Sequence, residues 1–424
     1  MQYARLETLE NMKKLVPLDI VDSSNKDKIS GIPMSYDNDM LYVDSRMVNS
    51  LIIGGNNSGK TNLITLPMLH LSATSSESVV VCPKSKDVYE TTKKMYEKEG
   101  YEIIKIDFDN LSESDKWNIL ELPFKVYKEG NKDLAQDLIE NVAFYLLGEK
   151  YNPNQDPFWV NSAINYFTGI TLYAFDTLDY VTLLDVMNIN KKVADNPKEF
   201  LLHLNKNTSI YINLVGILSA PPETMGSILA VFSQKIKMFI SKDGINKMME
   251  KSDFDIRNIS SKKTIVYLIS EESNIGNYLM PLFINQVYFA KDKESKINVI
   301  VEDFSSFNPI SNFSKILDNS RIKGIKFTII VRSFRDLYTT YGTDQVEIFK
   351  LLFTNIIYLM SSDNSTLDII SDMCGKIQEN GTIIPLITKE ELRTLKKNEA
   401  VIITQRMMPY KTKLLPYYEF SKTN

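Results

Sequence analysis

The chain has 424 residues, 43% hydrophobic, 24% charged and 10% aromatic, a globular mixture that excludes a disordered, collagenous or coiled-coil protein. Two cysteines, Cys82 and Cys374, cannot build a disulfide framework, which points to a reducing compartment, and two histidines, His70 and His203, argue against a His-based zinc site. The net charge of −4 gives no bulk attraction to DNA or to an anionic membrane, so any nucleic-acid contact must come from a local patch.

Residues 1–40 are polar, with turn signals at 22–25 and 31–33, and read as a lead into the first strand. The N-terminal segment lacks the apolar centre of a signal peptide. Apolar runs such as 51–53 and 79–82 fall far short of the ~20 residues that cross a bilayer, so a soluble, cytoplasmic protein, or the soluble part of something anchored elsewhere, is expected. Residues 49–54 (NSLIIG) read as a buried strand ending in a glycine turn, and a helix is expected from Thr61, broken or kinked by Pro67. Residues 78–82 (SVVVC) and 102–107 (EIIKID) are further strands around an amphipathic helix at 88–99. This alternation predicts a parallel, doubly wound sheet.

The pattern then changes. Leu134, Leu138, Ile139, Val142 and Leu146 recur at helical spacing, with Gly148 as the stop. Val160, Ala163, Ile164, Phe167 and Ala174 repeat it, as do Met225, Ile228, Leu229, Phe232, Ile236 and Phe239 after Pro221 and Pro222. No strand is expected between about 130 and 245. Strand patterns resume at 264–269, 297–301, 327–331, 355–360 and 400–404. These runs are continuously apolar, as residues buried on both sheet faces must be.

Chemistry concentrates in GGNNSGKT, Gly54 to Thr61, which satisfies G-x4-G-K-[ST] with a strand before it and a helix after. Gly54 and Gly59 let the backbone of Gly55, Asn56, Asn57 and Ser58 wrap closely, so that successive N–H groups face phosphate oxygens. Lys60 would place a charge between β- and γ-phosphates, Thr61 would offer its hydroxyl to Mg²⁺, and Asn62 follows in the first turn. Such a loop needs a carboxylate from a second strand. Glu302 and Asp303, at the end of INVIV, are the best candidates: on a strand they would point to opposite faces, one toward Mg²⁺ and one toward the attacking water.

With these motifs in place, the order of the remaining ones resembles the coupling proteins of type IV secretion and conjugation systems, the TraG/TraD-like hexameric ATPases, from about residue 30 to 418. Gly59 to Pro67 is similar to the family's loop and kinked helix. Cys82-Pro83-Lys84 with Val88-Tyr89 resembles its Asp-Pro-Lys segment and tyrosine, and Asp107 with Trp117-Asn118 its strand-end acid and Trp-Asn-Pro element. Asp156-Pro157-Phe158-Trp159 matches a motif that opens a helix, and Glu302-Asp303-Phe304 stands where the family has Asp-Glu-Phe. Arg321, Gly324 and Ile325, then Arg332-Ser333, resemble its Arg-x-x-Gly-Ile stretch and Gln-Ser sensor strand. Tyr341-Gly342, Asn355, Thr366 and Gly375-Lys376 fall at family positions, and Tyr417-Tyr418 is similar to a terminal Tyr-Tyr pair.

The resemblance implies an α/β, RecA-like P-loop NTPase core with a parallel sheet, over 1–130 and 250–424, and an inserted all-α domain over 130–250. It implies ATP and Mg²⁺ as cofactors. It also implies a relaxase or relaxosome, DNA and a secretion channel or membrane adaptor as partners, a homo-oligomer that is hexameric when active, and docking at the cytoplasmic face of the membrane. Arg321 would reach a neighbouring subunit's nucleotide. Three departures bear on rate. The Asp-Glu pair is inverted to Glu302-Asp303, an arginine, Arg332, replaces the sensor glutamine, and Cys82 replaces an aspartate. An arginine stabilises phosphate charge but cannot orient a water as an amide does. Arg332 is thus either a γ-phosphate sensor or the ion-pair partner of Glu302. Hence two expectations: an ATP-driven coupling protein, or a nucleotide-binding recruitment scaffold with little hydrolysis. Trp117 and Trp159 read as core aromatics, Cys82 as a small buried hydrophobe and His203 as structural. Lys191-Lys192 and Lys396-Lys397 read as solvated faces, and Lys235 and Lys237 as candidate pore residues for phosphates.

Overall fold

The computed structural model describes residues 4–21, 29–148, 156–291 and 295–420. Three strands, β1 (Asp19–Val21), β2 (Ile32–Asp37) and β3 (Met40–Asp44), form a small antiparallel sheet in the order β1-β3-β2. The sequence did not announce it. The turn expected at 31–33 is instead the start of β2: Pro33 lies where the register of this outer strand shifts, so its missing N–H breaks no ladder. The turn expected at 22–25 lies outside the described residues.

Nine strands build the main sheet: β4 (Ser50–Gly54), β5 (Ser78–Cys82), β6 (Glu102–Asp107), β7 (Thr264–Ile269), β8 (Ile297–Val301), β9 (Ile325–Val331), β10 (Asn355–Met360), β13 (Glu399–Thr404) and β14 (Tyr410–Lys413). Between β10 and β13 lies a separate hairpin, β11 (Lys376–Glu379) with β12 (Thr382–Pro385). The main order is β14-β13-β10-β4-β9-β8-β5-β7-β6, parallel from β10 to β6, with β13 antiparallel to β10 and β14 antiparallel to β13. All strands predicted from 49 onward form within two residues of their expected bounds. The hairpin partner β14 was not foreseen, because YKTK alternates with lysines and has one covered face.

Burial on both faces explains the apolar runs. Leu51 and Ile53 point into one core, and Ile52 between them into the other. The second core packs against the helices Leu66–Ser75 and Asp87–Lys98, which follow β4 and β5. The first continues into the helices Lys132–Leu147, Pro157–Thr177 and Pro222–Ile240, so the helical block shares its apolar interior with the sheet. Truncating any one of these fully buried residues to alanine would cost about 2–5 kcal/mol.

Polar clamps hold the two ends of the block. Asn118 Nδ2 donates to the Tyr180 hydroxyl and the Val181 carbonyl (both 2.9 Å), and Trp117 is buried edge-on against Phe283 at 5.0 Å. At the return, Asp255 accepts from Lys125 Nζ (3.0 Å) and Arg257 Nη2 (3.0 Å), while Arg257 Nη1 reaches Glu129 (2.6 Å). Trp159, expected in the core, is exposed beside Phe158 in the first turn of its helix, which Asp156 caps. His203 is also exposed, at the end of a short helix. Among the described residues no single helix is long and apolar enough to cross a membrane; Ser209–Leu218 and Pro222–Ile240 meet that test only as a pair bent by 118°.

Candidate functional site

The carboxyl ends of the parallel strands carry the site, where open α/β sheets bind ligands. Gly54 ends β4, and the loop that follows returns on itself because of two glycines. A Cβ on Gly54 would lie 2.3 Å from Ser58 Oγ, and Gly59 has φ +90° with Leu63 Cδ1 2.9 Å from where its Cβ would be. The neighbouring strand anchors the loop: Gly55 N–H donates to the Met360 carbonyl of β10 (2.6 Å). Beyond Lys60 the chain enters a π-turn, Thr61–Thr65, then the α-helix Leu66–Ser75. The break expected at Pro67 is therefore taken up just ahead of it, and Pro67 sits in the first α-helical turn, where a missing N–H is tolerated.

The cradle has the donors an oxyanion needs. Among the described residues the N–H groups of Gly59, Lys60 and Thr61 donate to no backbone carbonyl, and Ser58 Oγ is buried without a hydrogen-bond partner. Lys60 Nζ donates to the carbonyls of Gly54 and Gly55 (both 2.6 Å). Burial lowers its pKa most, the Lys84 charge adds to that, and Asp303 and Glu302 oppose it. A nearby anion would offset that desolvation and favour the charged form of a lysine so placed.

Glu302 follows β8 directly and is buried, with 2% exposure. Its Oε1 accepts from the hydroxyls of Thr61 (2.8 Å) and Thr65 (2.6 Å), and its Oε2 accepts from the Lys84 N–H (2.9 Å). Its own N–H donates to the Cys82 carbonyl at 2.9 Å, which locks the register of β5 beside β8. Cys82 is fully buried, and burial pushes its thiol far up, so it acts as a small hydrophobe. Thr61 and Glu302 thus meet across 241 residues of sequence, as a shared metal site requires.

Two expectations fail here. Glu302 and Asp303 do not point to opposite faces. The strand has ended at Val301, Asp303 adopts a left-handed conformation (φ +52°), and both acids line one cleft of about 260 Å³ with Lys84, Asn277 and Ser306. Nor does Arg332 pair with Glu302: its Nε lies 3.2 Å from Asp303 Oδ1 and 3.4 Å from Asp336 Oδ2, because Glu302 is already filled by two hydroxyls and an amide. Lys84 Nζ approaches Asp303 from the other side at 4.0 Å. Arg321 is not brought to this site. It precedes β9, at the amino ends of the parallel strands, roughly 20 Å from Arg332 along a seven-residue strand.

Sequence reasoning gave Lys84 and Thr65 no role. The signal for Lys84 was its place after β5, the strand beside β8; Thr65 lies one turn beyond Thr61 on the same helical face. Lys396 and Lys397, read as a solvated face, line a second cleft of about 480 Å³ with Asn57, Ser58, Gly59, Asn62 and Tyr418.

The sequence profile of the type IV secretory system conjugative DNA transfer family matches residues 3–384. The chain belongs to this family. No curated relative matches the sequence. Among solved structures, the bacterial conjugative coupling protein TrwB, in a form lacking its N-terminal 70 residues, is similar with TM-score 0.68 at 11% identity, over 98% of this chain and 93% of that one. TrwB in complex with the ATP analogue ADPNP matches with TM-score 0.67 at 12% identity, over 98% and 94%. VirB4 of Thermoanaerobacter pseudethanolicus matches with TM-score 0.58 at 14% identity, over 93% and 99%. These likenesses establish the fold: the RecA-like P-loop architecture expected from the glycine loop and the alternating strands.

Proposed function

We propose that this member of the conjugative DNA transfer family binds Mg-ATP at the Gly54–Thr61 loop and uses it to recruit and drive a DNA–relaxase substrate to a type IV secretion channel. The observation that carries the reading is the meeting of Thr61 Oγ1 with Glu302 Oε1 beside Lys60. TrwB, of the same fold, has been solved with ADPNP and with ADP and Mg²⁺, which supports the choice of nucleotide and ion.

In this reading the amides of Gly59, Lys60 and Thr61 and the Ser58 hydroxyl hold the phosphates, and Asn56, Asn57 and Asn62 flank them. Lys60 swings from the Gly54 and Gly55 carbonyls to the β- and γ-phosphates. Thr61 and Glu302 are the residues that would hold Mg²⁺, which supplies charge neutralisation between those phosphates. Asp303 orients the attacking water once it is released from Arg332, and Arg332 then faces the developing negative charge. Arg321 acts in a neighbouring subunit of a hexamer. The helical block over 130–250 is the docking unit for a relaxosome protein or DNA, and a membrane adaptor places the protein at the cytoplasmic face.

The Arg332–Asp303 pair favours a second reading, a nucleotide-binding scaffold with little turnover, because it occupies the carboxylate that would serve the water. Steady-state phosphate release by wild type and Lys60→Ala, with and without DNA, separates them. Turnover that Lys60→Ala abolishes supports the motor; tight ATP binding without turnover supports the scaffold.

A further inference from the structure

The two clefts at the phosphate loop lie on opposite sides of β4. The acidic one, with Glu302 and Asp303, lies beyond β9 on the β8 side; the other opens toward β10 and β13. If Lys60, Thr61 and Glu302 hold the β- and γ-phosphates, as proposed above and on which this inference rests, the nucleoside must leave the loop on the β10 side. The cleft found there, about 480 Å³, is within the range of small-molecule sites and starts at Asn57, Ser58, Gly59 and Asn62 of the loop itself.

The geometry points to Tyr418 as the platform on which the nucleotide base stacks. The residue is 44% exposed on the wall of this cleft, with Lys397 Nζ 6.0 Å from its ring centroid. The chain holds it there through its neighbours. Tyr417 and Phe420 turn the other way, against His70 of the helix that follows the phosphate loop, with ring centroids 6.1 and 4.8 Å apart. The short helix Tyr417–Phe420 is therefore pinned by two rings to the helix that follows the phosphate loop, and Tyr418, between them in sequence, faces the cleft. Two rotatable bonds and a fixed backbone make it a rigid π-surface that any purine can cover, and base–aromatic stacking of this kind carries about a tenfold or larger change in affinity.

The test uses the full chain with Mg²⁺ and two probes, ATP and inorganic tripolyphosphate, titrated against wild type, Tyr418→Ala and Tyr418→Phe. The expected result is that Tyr418→Ala weakens ATP about tenfold or more and leaves tripolyphosphate unchanged, while Tyr418→Phe keeps wild-type affinity for both. The assignment is overturned if Tyr418→Ala binds ATP as wild type does, or loses both probes equally, since the ring would then contribute nothing specific to the base. If wild type binds neither probe, the phosphate-loop reading itself fails and this assignment with it; wild type binding tripolyphosphate as tightly as ATP overturns the base site alone.

Discussion

Glu302→Gln is the sharpest single perturbation. The wild-type carboxylate is buried and accepts three hydrogen bonds, from the Thr61 and Thr65 hydroxyls on one oxygen and from the Lys84 N–H on the other. Glutamine has the same shape, and its carbonyl can keep both hydroxyls. In that orientation its amide nitrogen faces the Lys84 N–H, donor against donor; flipped, the oxygen accepts from the Lys84 N–H and the NH₂ group donates to the two threonine hydroxyls, which can accept, so no buried donor is stranded. What is lost is charge assistance: three charge-assisted bonds fall to neutral ones at about 1 kcal/mol each. Removing a buried charge returns part of this, so the net destabilisation is about 2 kcal/mol. Urea unfolding followed by the fluorescence of buried Trp117 measures it. The same substitution removes a proposed metal ligand, so phosphate release with Mg²⁺ should drop to background while nucleotide binding in EDTA persists. A variant as stable as wild type would refute the hydrogen-bond argument, and one that releases phosphate at the wild-type rate would remove Glu302 from the metal site.

Three more outcomes follow from the same geometry. Arg332→Gln frees Asp303 and supplies an amide that can orient the water, which should outweigh the charge lost opposite the γ-phosphate; phosphate release should rise several-fold, while stability stays within about 0.5 kcal/mol because Arg332 is half-exposed, and steady-state assay with urea unfolding checks both. Gly59→Ala forces a side chain into φ +90° and against Leu63, so the loop should distort and nucleotide affinity should fall at least tenfold by titration, at a cost of about 1–2 kcal/mol in unfolding. At the junction, burial raises the Asp255 carboxyl, but hydrogen bonds from Arg257 and Lys125 outweigh it and hold its pKa at about 2. A depressed carboxylate stabilises the fold above its unfolded pKa and loses that contribution as pH falls toward 2. Asp255→Asn should thus unfold more readily at neutral pH, and its deficit relative to wild type should shrink in acid titration as pH falls below about 4 and vanish only below about 2.

The strands and the phosphate loop were legible because their signals are local. A run such as SVVVC or INVIV, buried on both faces, has a single reading, and the glycines of the loop are demanded by backbone geometry. The small N-terminal sheet was not, since Pro33 looks like a turn until its place on an outer strand is known. Nor was the fate of the acidic pair. Adjacent residues alternate only within a strand, and nothing local says that β8 stops at Val301 and that Asp303 turns left-handed. The sequence offered Glu302 as the ion-pair partner of Arg332; the threonines that fill Glu302 leave Asp303 instead, and Thr65 carries no motif. The role of Lys396, Lys397 and Tyr418 as walls of a cleft depends on the antiparallel return of β13 and β14 beside β10, which is a property of topology alone.

Calorimetric titration of the purified chain with ATP, with Mg²⁺ present, for wild type and Lys60→Ala tests the central claim most directly. The account predicts saturable binding by wild type, weakened at least tenfold by Lys60→Ala. No heat from wild type, or equal affinities for the two proteins, would contradict it.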